Sequence, residues 1–265
     1  MSEPDGPKGA QCVHRAFAIL RIVAAGRDVG LSLQQVAQGT GLSRPTAHRI
    51  LRMLVAEGVA ERSPRTRRYL VGEQIPMLAL ARPRRSMLED VAAPILDRVA
   101  RDLGDTVFLT VRTQMDTLCL ARRLGSYPIQ VLVIEVGARR PLGVSSAGLA
   151  ILSGLSPEEA GRILRANAPR LVDFGTDPAH AAEQVEASRR RGYALSDPGL
   201  VPGTKALSVA IPSSPDSATA VLTLAGIRKR LASWREQAVA AMLRNAGKEV
   251  AENLIARRRR SQERS

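Results

Sequence analysis

The chain has 265 residues, of which 45% are hydrophobic, so it is long enough and apolar enough to bury a core in two domains. No apolar run is long enough to span a membrane and the first residues lack the apolar stretch of a signal peptide, so we expect a cytoplasmic protein with no membrane partner. Its two cysteines, Cys12 and Cys119, are far apart and in no metal-ligand spacing. This pattern excludes a disulfide scaffold and predicts no metal site.

The net charge of +14 is unevenly distributed along the chain. Residues 1–85 carry 14 basic and 6 acidic residues, residues 86–255 carry 20 and 18, and residues 256–265 carry 5 and 1. Only four of the 39 basic residues are lysine, so genomic base composition and solubility are alternative explanations for part of the excess. A basic segment joined to a nearly neutral body is typical of a nucleic-acid-binding module followed by a second domain.

Three helices are predicted in the first third of the chain, after a flexible tail at residues 1–10. The first spans residues 13–25 and ends at Gly26. Ser32 and Gln35 form a capping-box pattern that begins the second helix, which should stop at Gly39. Ser43 is a good N-cap for the third helix, which has Pro45 in its first turn and extends to Glu57. Two helices joined by a short glycine-containing turn predict a helix-turn-helix unit.

A hairpin should follow the third helix. Strand-like runs at residues 59–62 and 67–71 flank a short loop of Ser, Pro, Arg and Thr. Three helices and a hairpin are the order of a winged helix-turn-helix domain, which we place at residues 11–72. Residues 73–86 look helical but contain Pro76, Pro83 and a basic cluster, so they are predicted to form a linker helix.

The second domain is predicted over residues 87–255, before a basic tail at residues 256–265. Helices are predicted at residues 87–103, 146–153, 156–168, 179–191 and 231–254, and strands at residues 106–111, 117–121, 129–136, 193–196, 207–211 and 220–225. This order indicates an α+β domain around a mixed or antiparallel sheet.

The third helix has an apolar face and a basic face. Ala47, Ile50, Leu51 and Leu54 fall within one arc of the helical wheel, and no acidic residue opposes the basic face before Glu57. One interpretation is a capped core helix whose charges face water; the other is a recognition helix in the major groove of DNA. The basic hairpin loop favours the second, because such loops contact phosphates or enter the minor groove. The candidate DNA-binding residues are Ser43, Arg44, Thr46, His48, Arg49 and Arg52 on the helix, and Arg65, Arg67 and Arg68 on the loop.

Residues 143–147 resemble the nucleophile elbow of hydrolases only in part. Asp173, Asp177 and His180 follow Ser145 in the order of a catalytic triad, but no buried strand precedes the elbow. We therefore predict no catalytic activity and no cofactor, and keep a serine hydrolase using Ser145 as an alternative. A second interpretation is that residues 144–148 begin a helix whose free N–H groups and hydroxyls bind a carboxylate, or simply cap the helix.

Several segments together resemble the IclR family of bacterial transcriptional regulators. They are VHRAFAIL, LSLQQVAQGTGLSRPTAHRILRMLVAEGVAERS, RRYLVG, VGARRPLG and RRRGYALSD, which occur in the family's order and spacing from about residue 12 to about residue 254. The resemblance implies an N-terminal winged helix-turn-helix domain, a linker helix and a C-terminal GAF/PAS-like effector-binding domain. It also implies homodimers or homotetramers on a palindromic operator in double-stranded DNA.

The resemblance further implies a pocket for a small organic-acid effector. The candidate residues are Ser145, Ser146, Ala147, Ser196, Asp197, Thr204, Ala206, Thr223 and Ala225. Gly143 and Leu149 stand where family members usually carry His and Lys, so we expect a roomier and less polar pocket than one for a two- or three-carbon acid. An architectural DNA-binding protein that ignores effectors is a further alternative.

Overall fold

The computed structural model describes residues 8–80, 83–212 and 220–262, and the chain divides after Pro83 into two compact units. In the first unit the elements are α1 (Lys8–Ala25), a 3-10 turn (Arg27–Val29), α2 (Leu33–Thr40), α3 (Arg44–Ala56), β1 (Ala60–Arg62), β2 (Tyr69–Val71) and α4 (Gln74–Leu80). The first three helices pack around Ile19, Val23, Val36 and Leu51, none of which is exposed. Strands β1 and β2 pair antiparallel, and Leu31 bridges to Tyr69 beside them. This unit is therefore a winged helix-turn-helix domain.

Helix α2 begins as predicted and ends later than predicted. Ser32 N–H donates to Gln35 Oε1 at 2.9 Å, and Gln35 N–H donates to Ser32 Oγ at 3.3 Å, so the capping box is formed. The predicted stop at Gly39 is wrong, because the helix continues to Thr40 and ends at Gly41, whose φ is 68°. A Cβ at Gly39 would lie 3.2 Å from the Ile22 side chain. Gly39 thus serves the close packing of α1 against α2 rather than the end of α2.

The second unit is a three-layer α+β domain. Its elements are α5 (Pro83–Leu103), β3 (Thr106–Thr113), β4 (Asp116–Arg123), β5 (Arg139–Pro141), α6 (Ser146–Ser153), α7 (Pro157–Leu171), a 3-10 turn (Val172–Phe174), α8 (Pro178–Arg191), β6 (Ala194–Ser196), β7 (Thr204–Ala210), β8 (Ala220–Ile227) and α9 (Ser233–Gln262). The strands form one antiparallel sheet in the order β5-β4-β3-β8-β7-β6. Helices α5 and α9 share a core with one face of the sheet, and α6, α7 and α8 share a core with the other.

Several boundaries differ from the sequence prediction, among them those of α1, α5 and α9. Helix α5 begins at Pro83 rather than Met87, because proline is well tolerated in the first turn of a helix. Helix α9 continues to Gln262, so most of the predicted tail at residues 256–265 is helical, and residues 263–265 lie outside the described residues. Residues 8–10 of the predicted flexible tail are the first residues of α1, and residues 1–7 also lie outside the described residues.

The predicted strand at residues 129–136 is wrong, since this segment is irregular. Its apolar pattern has a different cause: Val131 is buried and Val133 and Ile134 are partly buried in a small cluster with Phe108 on β3. The short strand β5 follows the segment and pairs with β4 through Thr117. The apolar residues of this irregular segment are buried against Phe108, and their spacing in the sequence resembles that of a strand.

Candidate functional sites

The N-terminus of α3 is held by two polar side chains. Ser43 Oγ accepts a hydrogen bond from Thr46 N–H at 3.4 Å and lies 2.8 Å from Thr46 Oγ1. The Ser43 backbone is extended, as an N-cap requires, and Pro45 is in the first turn. The start of α3 is thereby fixed on the surface of the first unit.

The exposed face of α3 is basic. Ala47, Ile50, Leu51 and Leu54 are buried against α1 and α2, as their spacing predicts. The predicted DNA-contacting side chains are exposed or, for Thr46, partly buried: Ser43, Arg44, Thr46, His48, Arg49 and Arg52. Within residues 8–80, 83–212 and 220–262, no carboxylate forms an ion pair with these arginines. The face therefore presents its positive charge to solvent.

The hairpin loop presents two of its three predicted arginines. Arg67 N–H donates to Ser63 O at 2.9 Å, and the φ of Arg67 is 60°, which closes the loop tightly. Arg65 and Arg67 are exposed. Arg68 is partly buried and donates from Nη1 to Gly30 O at 3.0 Å, so it ties the loop to the preceding turn. Arg62, which sequence reasoning missed, is exposed and lies over the Tyr69 ring at 5.5 Å.

A narrow cavity lies between the sheet and α6 in the second unit. Its volume is about 30 Å³, room for about two water molecules. It is lined by Phe108, Thr110, Val131, Val133, Ile134, Ser145, Ser146, Ala147, Ser196, Gly199, Leu200, Thr204, Lys205, Ala206, Thr223 and Ala225. Eight of the nine predicted effector residues are in this lining, and Asp197 is not. The lining is largely apolar, as expected, but the roomier pocket that we expected is not what the structure shows.

Helix α6 directs its N-terminus at the cavity. Ser145 caps the helix: its hydroxyl oxygen accepts from Gly148 N–H at 3.3 Å, and its carbonyl accepts from Leu149 N–H at 2.9 Å. The first N–H groups of a helix have no acceptor within the helix. The N–H groups of Ser146 and Ala147 thus remain at a terminus whose dipole favours an anion, and both residues line the cavity.

A buried row of hydroxyl groups connects α6 to the sheet. Ser208 on β7 donates to Ser146 Oγ at 2.8 Å and lies 2.7 Å from Thr223 Oγ1 on β8. Ser208 has a single hydroxyl hydrogen, so it accepts from Thr223 when it donates to Ser146. Ser146 then keeps its own hydroxyl hydrogen. Sequence reasoning missed Ser208, which register places opposite Thr223.

Asp197 belongs to an ion-pair network beside the cavity. Its carboxylate pairs with Lys205 Nζ at 3.3 Å and with Arg228 Nε at 2.9 Å. Lys205 Nζ also pairs with Glu236 on α9 at 2.5 Å, and Tyr193 Oη donates to the same carboxylate at 3.0 Å. Burial and the neighbouring carboxylate raise the pKa of Tyr193. Asp197 thus connects the turn after β6 to Lys205 and, through Lys205, to Glu236 on α9.

Two segments cover the cavity. The turn at residues 199–204 closes through Gly199 N–H to Thr204 O at 2.7 Å and places Leu200 in the lining. The irregular segment at residues 129–136 is held by Arg122, which donates to Ile134 O at 3.3 Å, and by Arg140, which donates to Val133 O at 3.3 Å. Because the cavity is small, a ligand larger than a few atoms needs one of these covers to shift.

Two residues of the alternative catalytic triad, Ser145 and Asp177, are helix caps. Asp177 Oδ1 accepts from Ala179 N–H at 2.8 Å and from His180 N–H at 2.9 Å, and the His180 side chain is exposed. Ser145 caps α6, as described above. Across the described parts of the chain, no group of three or more His, Cys, Asp or Glu side chains has a metal-binding arrangement. None of the described helices is long and apolar enough to cross a membrane.

Comparison with known proteins identifies the two units. The C-terminal domain of bacterial IclR transcriptional regulators matches residues 84–252, and the IclR helix-turn-helix domain matches residues 13–64. The chain belongs to the IclR family. It is a DNA-binding transcriptional regulator with an effector-binding C-terminal domain, and not an enzyme.

Curated relatives cover most of the chain. The HTH-type transcriptional regulator BhcR of Paracoccus denitrificans is 30% identical over 94% of this chain and 89% of its own length. A glycerol operon regulatory protein of Streptomyces griseus is 33% identical over 71% of this chain and 73% of its own length. The transcriptional repressor IclR of Escherichia coli is 24% identical over 91% of this chain and 88% of its own length.

Solved structures share the fold along nearly the whole chain. An IclR-type regulator from a Silicibacter species gives a TM-score of 0.77 at 22% identity, over 92% of this chain and 96% of that one. An IclR homolog from Microbacterium hydrocarbonoxydans was solved in complex with 4-hydroxybenzoate. It gives a TM-score of 0.72 at 23% identity, over 92% of this chain and 99% of that one. The GAF/PAS-like fold predicted for the second unit is confirmed.

Proposed function

We propose that the first unit reads a palindromic operator through α3 and the hairpin loop. Ser43, Arg44, Thr46, His48, Arg49 and Arg52 would engage the major groove, and Arg65 and Arg67 the flanking phosphates or the minor groove. The supporting observation is that the exposed arginines of α3 lack ion-pair partners within the described residues. Arg68 is assigned to the support of the loop, because its guanidinium is bound to Gly30.

The same proposal assigns the cavity of the second unit to a small organic carboxylate. The N–H groups of Ser146 and Ala147 and the hydroxyl of Ser146 are donors at the cavity, an arrangement that suits a single carboxylate. Lys205, which also lines the cavity, is already paired with Asp197 and Glu236. Phe108, Val131 and Leu200 would contact an apolar body. The convergence of eight predicted residues on one cavity carries this part of the proposal.

The apolar lining favours an aromatic or branched body over a two-carbon acid. Burial of apolar surface stabilises a complex by about 25 cal/mol per Å², and acetate offers little such surface. The related regulator from Microbacterium hydrocarbonoxydans binds 4-hydroxybenzoate, an aromatic carboxylate. An aromatic acid here would have to displace the turn at residues 199–204 or the segment at residues 129–136.

Regulation follows if the effector binds two arrangements of a homodimer, or of a dimer of dimers, with different affinities. A ligand can shift such an equilibrium only by its differential affinity for the two states. By linkage, an effector that lowers operator affinity is itself bound more weakly by the operator complex. An architectural DNA-binding protein that ignores effectors would show no such coupling between effector binding and operator binding.

Calorimetry with a panel of carboxylates tests the effector assignment. Benzoate, 4-hydroxybenzoate, pyruvate and acetate are titrated into the wild-type protein and into Ser146→Ala. We expect an aromatic acid to bind the wild type and to lose affinity in the variant. Equal affinity of both proteins for every acid that binds would remove the α6 terminus from the site.

A further inference from the structure

The side chain of Arg140 on β5 lies on the same face of the sheet as the cavity. Phe108, Thr110 and Arg112 are alternate residues of β3, so they share one face, and the first two line the cavity. Arg112 is opposite Thr117 on β4, and Thr117 is opposite Arg140. Directly opposite residues of an antiparallel pair have their side chains on one face. Arg140 therefore belongs to the cavity face of the sheet.

The guanidinium of Arg140 contacts the cover of the cavity and an aromatic ring. Its Nη2 donates to Val133 O at 3.3 Å, in the segment at residues 129–136 that covers the cavity. Its Cζ lies 5.4 Å from the centre of the Phe174 ring, in the 3-10 turn after α7. Val133 also lines the cavity. A single hydrogen bond thus connects the guanidinium to the cavity wall.

The positive charge of Arg140 is partly withdrawn from water. No carboxylate in residues 8–80, 83–212 and 220–262 forms an ion pair with it, and its buried Nε has no hydrogen-bond acceptor in these ranges. Burial lowers the pKa of this guanidinium. Asp116 on the neighbouring strand is already paired with Arg139 at 3.0 Å and with Arg170 at 2.7 Å. An anion is strongly attracted to a cation in such surroundings, because little water competes for the charge.

A second arginine holds the same cover. Arg122, which is opposite Phe108 on β4, donates from Nη1 to Ile134 O at 3.3 Å. In contrast to Arg140, none of its nitrogens is a buried atom without a partner among the described residues. Arg122 is therefore explained by its contact with the cover, whereas the Nε of Arg140 is not.

A ligand that contains a ring would come within reach of Arg140. The cavity of about 30 Å³ cannot hold a ring while both covers are in place. Displacement of residues 129–136 takes the Val133 carbonyl away from Arg140 and leaves its N–H groups to the ligand. Strand β5 is two strands from β3, roughly 10 Å at about 4.8 Å per strand, and the arginine side chain spans part of this distance. The guanidinium then faces the end of a ligand that extends from the α6 terminus toward β5.

We propose that Arg140 binds a second carboxylate of the effector, which is therefore an aromatic dicarboxylate. Its first carboxylate lies at the N-terminus of α6, and its ring contacts Phe108 and Val131. The planar fork of arginine matches the two oxygens of a carboxylate, and such bidentate pairs are among the stronger hydrogen bonds. The inference deepens the proposed effector site and rests on it, because it adds an anchor at the other end of the same ligand.

Calorimetry with two ligands of similar shape tests this assignment in the full-length protein. Terephthalate has carboxylates at both ends of one ring, and monomethyl terephthalate has the same ring with one carboxylate and one ester. Both are titrated into the wild type and into Arg140→Gln. Arg139→Gln is the matched control, since Arg139 is the adjacent residue of β5 and pairs with Asp116. Arg122→Gln is a second control, since it removes the other arginine contact with the cover.

We expect the wild type to bind terephthalate roughly 10- to 100-fold more tightly than the monoester, the range for hydrogen bonds to a charged group. Arg140→Gln should lose this preference and keep its affinity for the monoester. Arg140→Lys should retain part of the preference, because lysine keeps the charge without the planar fork. In Arg122→Gln a looser cover changes both affinities, so the ratio of the two should match that of the wild type. Arg139→Gln should also keep this ratio.

Equal affinity of the wild type for the two ligands would overturn the inference and leave the carboxylate site at α6 intact. So would a preference that persists in Arg140→Gln, or one that disappears in Arg122→Gln or Arg139→Gln instead. The wild-type ratio and Arg140→Lys decide the question even if Arg140→Gln does not fold. Binding of benzoate without binding of terephthalate would overturn this inference alone. If no carboxylate binds the wild type, the proposed effector site fails, and the inference fails with it.

Discussion

Ser208 on β7 donates its hydroxyl hydrogen to Ser146 on α6 at 2.8 Å, and this contact connects the sheet to the helix terminus that faces the cavity. Ser208 has only one hydroxyl hydrogen and donates it to Ser146. The Thr223 hydroxyl must therefore donate to Ser208 Oγ, which lies 2.7 Å from Thr223 Oγ1. Ser146 Oγ is the acceptor in this contact, so its own hydroxyl hydrogen can be donated to another group. A carboxylate in the cavity would accept it together with the N–H groups of Ser146 and Ala147.

Removal of the Ser146 hydroxyl should weaken carboxylate binding more than removal of any other hydroxyl in the cavity. A hydrogen bond to a charged group contributes about 1.5–3 kcal/mol, so Ser146→Ala should lower affinity roughly 10- to 150-fold in calorimetry. Ser153→Ala is the matched control, since Ser153 ends the same helix and donates to Ala150 O. A similar loss of affinity in Ser153→Ala would point to a general effect on α6.

Thr223→Val should act through Ser208 rather than by direct contact. Valine has nearly the shape of threonine but leaves buried Ser208 without its donor. We expect effector affinity to fall roughly tenfold or less, that is by about 1 kcal/mol, and the free energy of unfolding to fall by about 1–3 kcal/mol. Calorimetry and urea unfolding measure the two effects. Full effector affinity in a destabilised variant would show that the hydroxyl row is structural only.

Arg49→Ala should weaken specific operator binding by about 1–3 kcal/mol, the range for loss of a base contact. Random DNA should be affected less, because the contact reads sequence. Arg21→Ala on the exposed side of α1 is a control of equal charge. An operator titration in which Arg49→Ala matches the control would remove Arg49 from the recognition set.

Arg67→Asn should flatten the salt dependence of DNA binding by about one phosphate contact. Asparagine tolerates the left-handed backbone that Arg67 adopts, with φ of 60°, so the loop should keep its shape. Arg68→Ala should instead lower the melting temperature of the first unit, because the contact with Gly30 is lost. A salt slope equal to that of the wild type in Arg67→Asn would count against a phosphate contact at this position.

Cys119 should stay unreactive at neutral pH and make the fold sensitive to high pH. Burial raises the pKa of its thiol from 9.0 to about 11. The folded state therefore holds the proton more tightly, and the associated stability is present below pH 9 and lost between pH 9 and about 11. The loss should reach about 2–3 kcal/mol, and Cys119→Ala should remove it.

A thiol reagent gives a second test of the same group. At pH 8 it should label exposed Cys12 and spare buried Cys119 in the folded protein. Equal labelling of both residues would contradict the burial of Cys119.

The sequence predicted most local features because they depend on neighbours along the chain. The Ser32, Ser43 and Ser145 caps each involve residues within a few positions, and the structure forms all three. The segment at residues 129–136 was misjudged because its apolar residues cover a cavity instead of joining a ladder. Periodicity cannot separate these two causes of burial.

Contacts between residues far apart in the chain could not be predicted from the sequence. Arg68 with Gly30, Lys205 with Glu236 and Ser208 with Ser146 join positions separated by 38, 31 and 62 residues. Arg68 holds the hairpin loop to Gly30, Lys205 joins β7 to α9, and Ser208 joins β7 to α6. A sequence motif indicates candidate residues of a site, but contacts between distant residues become visible only in the structure.

The most direct test of the central claim is the operator affinity measured with and without effector. The operator is first mapped by footprinting on the DNA beside the protein's own gene, and the dissociation constant is then measured with a saturating aromatic carboxylate, for the wild type and for Ser146→Ala. We predict a several-fold shift for the wild type and, at the same ligand concentration, a smaller shift or none for the variant. An identical constant with and without bound effector, or equal affinity for operator and random DNA, would contradict the account.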